Sequence, residues 1–315
     1  MNQGTGFLIK EPPVREIMTR TIALVLSAIM IACLVPTASA AEVEELDSGL
    51  LLGGLHGLAN ESIVVNSSFS DLPAIVEDYT ATWCSNCVDV EEAMEEVALS
   101  VNMQIYAVHR NIYDPEDPLG TESVDQWFRD RYGAFTPWKP PLAGFNGLYA
   151  ISGSKPVGET LVDDYTDLAQ RPNDAGTGSM SMTWASTGAN TGTIAWTFDH
   201  SSEKVYNVSV WMVETMAYYP DGTNNQQYYP HVLREIIDVG LVNSTGFSSG
   251  TMDITYADAF DENDLEVHLV FEEYIEPVII EETPQSDSDT EDAPFLSTPL
   301  TVLALLIVAV RRKSQ

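Results

Sequence analysis

Cysteine is scarce in this 315-residue chain, which has three: Cys33, Cys84 and Cys87. Cys33 falls within residues 1–40, which read as an export signal. Lys10, Arg15 and Arg20 precede an apolar stretch over 21–34, and Ala38-Ser39-Ala40 has the small residues of a cleavage site. Met30-Ile31-Ala32 is a poor lipidation box, so Cys33 reads as a plain cysteine of the apolar stretch. That leaves Cys84 and Cys87. A secreted scaffold stapled by disulfides carries more cysteines, more widely spaced. A bridge over two intervening residues closes too small a loop to restrain the unfolded chain much. The scarcity therefore points to a chemical pair rather than a structural one.

Basic residues are few as well. Fourteen Lys and Arg face 47 Asp and Glu, a formal net charge of −33, and none lies between Arg234 and Arg311. Such a surface argues against nucleic acid, whose phosphates need a basic partner. It suits a soluble, self-repelling protein in salty water. No stretch has the spacing of a calcium loop. Long hydrophobic runs are missing too. The run at 295–310 has sixteen residues, short of the roughly 20 that a spanning helix usually needs. Arg311-Arg312-Lys313 follows it and predicts an inside C-terminus with the body of the protein outside.

What remains is ordinary enough to fold. Hydrophobic residues make up 44% of the chain, sufficient for a packed core. The length allows about two domains besides the export and anchoring segments. Periodicity predicts strands at 62–65, 74–80 and 104–109, helices at 84–100, 124–132 and 159–170, and a strand pair at 142–145 and 148–152 around Asn146-Gly147. In the helix at 84–100, Cys87, Val90, Met94, Val97 and Ala98 share one face, with Glu91, Glu92, Glu95 and Glu96 mostly on the other. Residues 171–179 are rich in Gly, Asn, Asp and Pro and read as a linker. Beyond them, short strand-like runs at 180–184, 192–198, 205–213, 250–256 and 265–271 suggest a sandwich. Residues 231–239 fit either a strand or a short helix. Residues 281–292 are acidic and cannot bury a core, so they read as a solvated stalk.

The chemistry gathers at Trp83-Cys84-Ser85-Asn86-Cys87, between an apolar run and a helical pattern. A cysteine at a helix N-terminus has its thiolate stabilised by unpaired backbone N–H groups and the helix dipole. Such placement lowers a thiol pKa to roughly 3.5–7.5. A second cysteine three residues on lies within disulfide reach. Cys84 can then attack a substrate disulfide and Cys87 resolve the mixed disulfide. Other readings carry less. His109, at a strand end, reads as structural, and one cysteine pair with a histidine is a weak zinc signal. No metal or cofactor is expected. The Trp and Tyr residues of 205–229 read as packing. Asn60, Asn66, Asn207 and Asn243 each open an Asn-x-Ser/Thr sequon.

The segment from Glu77 to Cys87 resembles the active-site segment of the thioredoxin superfamily. Trp83 matches the tryptophan before the first cysteine. Asp78 matches a buried carboxylate that relays protons to the resolving cysteine. Tyr132-Gly133 and Phe145-Asn146-Gly147 resemble the landmarks on either side of that family's cis-proline. Pro141 is favoured for that role by its place before a strand, with Thr136-Pro137 second. Ser85-Asn86 departs from the family's Gly-Pro, so its redox potential does not carry over. The layout resembles more closely the surface thioredoxin-domain proteins with a C-terminal β-sandwich, related to outer-membrane protein 28. Glu77 to Cys84, Val108-His109 and, loosely, Pro230-His231-Val232-Leu233-Arg234 carry that resemblance. The C-terminus resembles archaeal sorting signals.

These resemblances imply an α/β thioredoxin fold followed by an all-β sandwich-like domain. The expected segments are a signal peptide at 1–40, a lead-in at 41–61, a thioredoxin-like domain at 62–171 and a linker at 172–179. A sandwich at 180–279, a stalk at 280–294, a transmembrane or sorting segment at 295–310 and a tail at 311–315 follow. The implied function is thiol–disulfide exchange with exported proteins, at the outer face of the cytoplasmic membrane or cell surface, with a separate redox partner. Cys84 and Cys87 would form a reversible disulfide. Asp78 would relay protons, and Trp83, Thr136, Pro137 and Pro141 would bind substrate. Two alternatives stay open: a binding protein using the first domain as scaffold, and metal handling by the same cysteines.

Overall fold

A run of seven buried residues, β4 (Ala74–Thr80), lies at the heart of the computed structural model, which describes residues 41–132, 139–243 and 245–275. Alternate side chains of a strand point to opposite faces, so a strand buried throughout is covered on both sides. Ile75 and Tyr79 pack into a core with Tyr106, Phe128, Tyr132 and Trp211. Val76 packs on the other face with Val90, Met94, Phe145 and Tyr165. The same alternation carries the acidic neighbours Glu77 and Asp78 inward on opposite faces, both fully or almost fully buried.

β4 pairs in parallel with β5 (Met103–His109) and antiparallel with β6 (Leu142–Phe145), which pairs with β7 (Tyr149–Ser152). Parallel neighbours need a crossover, and helix α1 (Cys87–Ala98) supplies it. Val90, Ala93, Met94 and Val97 are its buried residues besides Cys87, at helical spacing. Helix α2 (Glu122–Arg131) begins at Thr121, whose hydroxyl accepts from the Val124 N–H. Helix α3 (Leu161–Ala169) begins in the same way at Thr160, as N-cap chemistry favours.

The remaining strands build outward. They are β1 (Val43–Glu45), β2 (Leu51–Leu58), β3 (Ile63–Ser68), β8 (Gly178–Gly188), β9 (Thr191–His200), β10 (Tyr206–Tyr218), β11 (Tyr228–Val242), β12 (Gly246–Thr255) and β13 (Leu265–Glu273). Nine strands form one sheet in the order β1-β7-β6-β4-β5-β11-β10-β13-β2, and four form a second in the order β12-β9-β8-β3.

This corrects the expected fold class. The described residues are predominantly β, with two large sheets and three α-helices. They do not form a thioredoxin-type α/β domain followed by a separate sandwich. The large sheet runs from β4 and β5 into β11, β10 and β13, joined where Val232 pairs with Ala107. Early strands are built into late ones, because β3 pairs with β8 and β2 with β13. The physical reason lies in β10. Its Val208, Val210 and Met212 pack toward the four-stranded sheet, while Trp211 and Val213 pack with Tyr79, Tyr106 and Phe128. A strand apolar on both faces needs cover on both, and the segment around β4 and β5 supplies one of them.

β2 is an ordered edge strand, with Leu51, Leu52 and Leu55 buried. The expected signal at 1–40 and the expected membrane segment at 295–310 lie outside the described residues. Among the described residues, no helix is long and apolar enough to cross a membrane.

Candidate functional site

Cys84 and Cys87 form a disulfide, with 5.4 Å between their Cα atoms. The helix was expected to start at Cys84. It starts at Cys87, and residues 84–86 form the turn ahead of it. That turn is held by hydrogen bonds from the Cys84 N–H to the Ala81 carbonyl at 2.9 Å and from the Cys87 N–H to the Cys84 carbonyl at 3.2 Å. The two sulfur residues differ in access. Cys84 is 6% exposed and Cys87 is 0% exposed, while Ser85 and Asn86 are exposed. Both are buried, and Cys84 is the one of the two with any exposed surface. The Asn86 side chain makes no capping bond, so it does not consume the N–H groups of the first helical turn, which remain available to stabilise a thiolate.

Two aspartates and one hairpin hold the segment in front of the disulfide. Asp117 is buried and accepts from the Thr82 N–H, and from the Leu119 N–H at 2.9 Å. His109 Nδ1 lies 3.2 Å from Oδ1, the oxygen that accepts from Leu119. Burial alone would raise the Asp117 carboxyl, but His109 and these amides hold it below the usual carboxylate range. The Thr82 carbonyl accepts from the Thr223 and Asn224 N–H groups, at 2.9 and 3.1 Å. Both lie in the loop between β10 and β11. Asp125 fixes the neighbouring loop by accepting from the N–H groups of Asn111 and Ile112 at 2.7 and 2.6 Å. That loop places the Arg110 guanidinium 5.5 Å from the centre of the Trp83 ring. Trp83 packs beside Ala81, Cys84 and Cys87, and its indole N–H is buried without an acceptor.

Asp78 lies in β4, the strand that leads into this turn. Burial, and then the neighbouring Glu91 carboxylate, raise its proton affinity well above that of an ordinary aspartate. Thr80 Oγ1 donates to Glu91 Oε1 at 2.5 Å. Asp78, Thr80, Glu91, His109, Tyr229 and His231 line a cavity of about 10 Å³, close to the least volume that holds one water. His231 Nε2 lies 3.1 Å from Oε1 of Glu95, which also lines the cavity.

The structure thus brings Trp83, Cys84 and Cys87 into one cluster, and places Asp78 on β4, the strand that leads into it. Pro141 stands immediately before β6, which pairs with β4, and the Pro140–Pro141 bond is cis, as is Asp114–Pro115. Thr136 and Pro137 lie outside the described residues. Among the described residues no group of three or more His, Cys, Asp and Glu is arranged to hold a metal.

Sequence reasoning missed Asp117, Thr223 and Asn224, whose partner Thr82 is remote in the chain. No spacing rule reaches that far. Glu91 was placed with the outward-facing acids, yet it is half-buried. Its signal was available, because it lies four residues after Cys87 and so on the same helical face.

No family model matches the chain, and no curated protein is similar to it. A crystal structure of an Agrobacterium tumefaciens protein from a structural-genomics programme is similar at 15% identity and a TM-score of 0.41. The match covers 58% of this chain and 78% of that one. Similarity at that level assigns neither fold nor function.

Proposed function

We propose that the protein is a thiol–disulfide oxidoreductase working through Cys84 and Cys87. The observation that carries this reading is the placement of the disulfide: Cys84, 6% exposed, in a turn whose Ser85 and Asn86 are exposed, and Cys87, 0% exposed, as the first residue of α1. A substrate thiolate attacks Cys84 and releases Cys87 as the leaving thiolate. In the other direction Cys84 attacks and Cys87 resolves. Asp78 supports it as a buried acid that holds a proton where ordinary aspartates are ionised. Trp83 and Pro141 are the proposed substrate contacts, with Thr136 and Pro137 held in the same role. Substrates are proteins bearing thiols or disulfides, and a separate redox partner resets the pair.

The test is catalysis. Purified full-length protein is expected to accelerate reduction or oxidation of a model protein disulfide, and Cys84→Ser is expected to abolish the effect. Equal behaviour of wild type and Cys84→Ser would sink the reading.

A further inference from the structure

We propose that Asp78 and Glu91 act as one proton-holding unit across the small cavity that both line between β4, β5, α1 and β11, supplying the proton that the Cys87 sulfur takes up when the disulfide opens. This rests on the oxidoreductase reading and adds Glu91 to it as a positioning residue.

Four observations converge. Both carboxyl groups line the same cavity, about 10 Å³ in volume, room for about one water. Each keeps a buried oxygen with no partner, Oδ1 of Asp78 and Oε2 of Glu91. Unpartnered buried oxygens are costly, and a shared proton or a bridging water satisfies both. Glu91 is fixed in place, because Thr80 occupies its Oε1 at 2.5 Å and leaves Oε2 for the cavity. Finally, Glu91 follows Cys87 by one helical turn, a separation at which Cβ atoms stand about 6 Å apart.

The surroundings favour one retained proton. The titratable groups around the pair are Glu95 on α1, His109 on β5, Tyr165 on α3, and Tyr229 and His231 on β11. No lysine or arginine lines the cavity. Two carboxylates without a cation between them do not both ionise readily. The His231–Glu95 pair also lines the cavity, and the Glu95 side chain is 49% exposed.

The step balances. A substrate thiolate attacks Cys84 Sγ, the bond between the two sulfurs breaks, and its electron pair stays on Cys87. The proton held by the carboxyl pair moves to the Cys87 sulfur. The substrate's second thiol loses its proton to solvent and attacks the mixed disulfide, freeing Cys84 as a thiolate. The substrate dithiol is oxidised to a disulfide and the protein is reduced. In reverse, the carboxyl pair takes the proton back from Cys87.

The experiment follows the side-chain carboxyl carbon of Asp78 by NMR in the oxidised full-length protein from acid to alkaline pH. The pH profile of its reduction by dithiothreitol is measured alongside. Wild type is expected to show a two-step Asp78 titration, the mark of a coupled pair. Glu91→Gln keeps the acceptor for Thr80. It is expected to leave a single step with its midpoint lowered by about one pH unit or more, and to shift the inflection of the rate profile in the same direction. A single-step Asp78 titration in wild type, which needs no variant to fold, would overturn the pair. So would an active wild type whose rate profile Glu91→Gln leaves unchanged. Failure of the underlying reading looks different: wild type then gives no catalysed exchange at any pH, and both ideas fall.

Discussion

Glu77 and Asp78 are chemically alike and adjacent, yet their environments separate them. Both sit in the middle of β4, where burial disfavours a carboxylate. Asp78 faces α1 and the Glu91 carboxylate. Glu77 faces the opposite core, where Tyr132 donates to it and Arg131 Nε stands 4.0 Å away. Burial dominates over that cation and raises the Glu77 pKa from 4.5 to about 7. The consequence for stability has a definite sign. Below about pH 4.5 the group is protonated in both folded and unfolded chains and contributes no pH dependence. Between about pH 4.5 and 7 the unfolded chain releases its proton while the folded chain keeps it, so stability falls as pH rises. Glu77→Gln removes this dependence. Denaturant unfolding is expected to show the variant gaining on wild type across that window, by up to about 3 kcal/mol. A constant difference would exclude the assignment. His268 acts in the opposite sense. Burial lowers its pKa from 6.5 to about 4, so its share of stability is lost as pH falls through that interval. Comparing Glu77→Gln with wild type cancels it.

At the scale of elements, the loop between β10 and β11 belongs to the dithiol site although the chain places it far away. It donates two backbone hydrogen bonds to Thr82, two residues before Cys84. Gly222 keeps that loop close. A Cβ there would meet Tyr229 Oη at 2.1 Å and the Thr82 carbonyl at 3.2 Å. Gly222→Ala is therefore expected to push the loop away from Thr82, with a loss of about 1–3 kcal/mol in stability from overpacking. The Cys84–Cys87 disulfide should also become more quickly reducible by dithiothreitol. An unchanged reduction rate alongside the expected destabilisation would show that the loop supports the fold without gating the dithiol.

Several elements were legible because their signals are local. β4 and β6 occupy the ranges read from apolar runs and turn residues. α1 is shorter than its pattern because residues 84–86 close a turn first. β2 escaped notice because Gly53 and Gly54, at φ of 135° and 83°, sit beside an irregularity in its pairing with β13. A Cβ on Gly53 would meet the Leu269 carbonyl at 2.4 Å. Only the partner strand explains why glycine stands there.

The whole molecule carries a formal charge of −33. Like charges held close together on a chain repel one another, and salt screens that repulsion over a Debye length of about 8 Å at physiological ionic strength. Thermal unfolding of the full-length protein is expected to shift to higher temperature with added sodium chloride. A falling midpoint would mean that specific ion pairs outweigh the general repulsion. The described ion pairs are few, and some are exposed, such as Arg171 with Asp167, where screening costs little.

The sequence by itself determined the charge balance, the isolation of the Cys84–Cys87 pair, the strand before it, the helix after it and the acid at position 78. Each depends on composition or on neighbours within a few residues. Tertiary structure decided that the later strands continue the sheet holding β4 rather than forming a domain of their own. It decided too that Asp117 and the β10–β11 loop hold Thr82, and that Glu91 turns inward against Asp78. Those outcomes follow from burial on both faces of β4 and β10, and from hydrogen bonds between residues far apart in the chain.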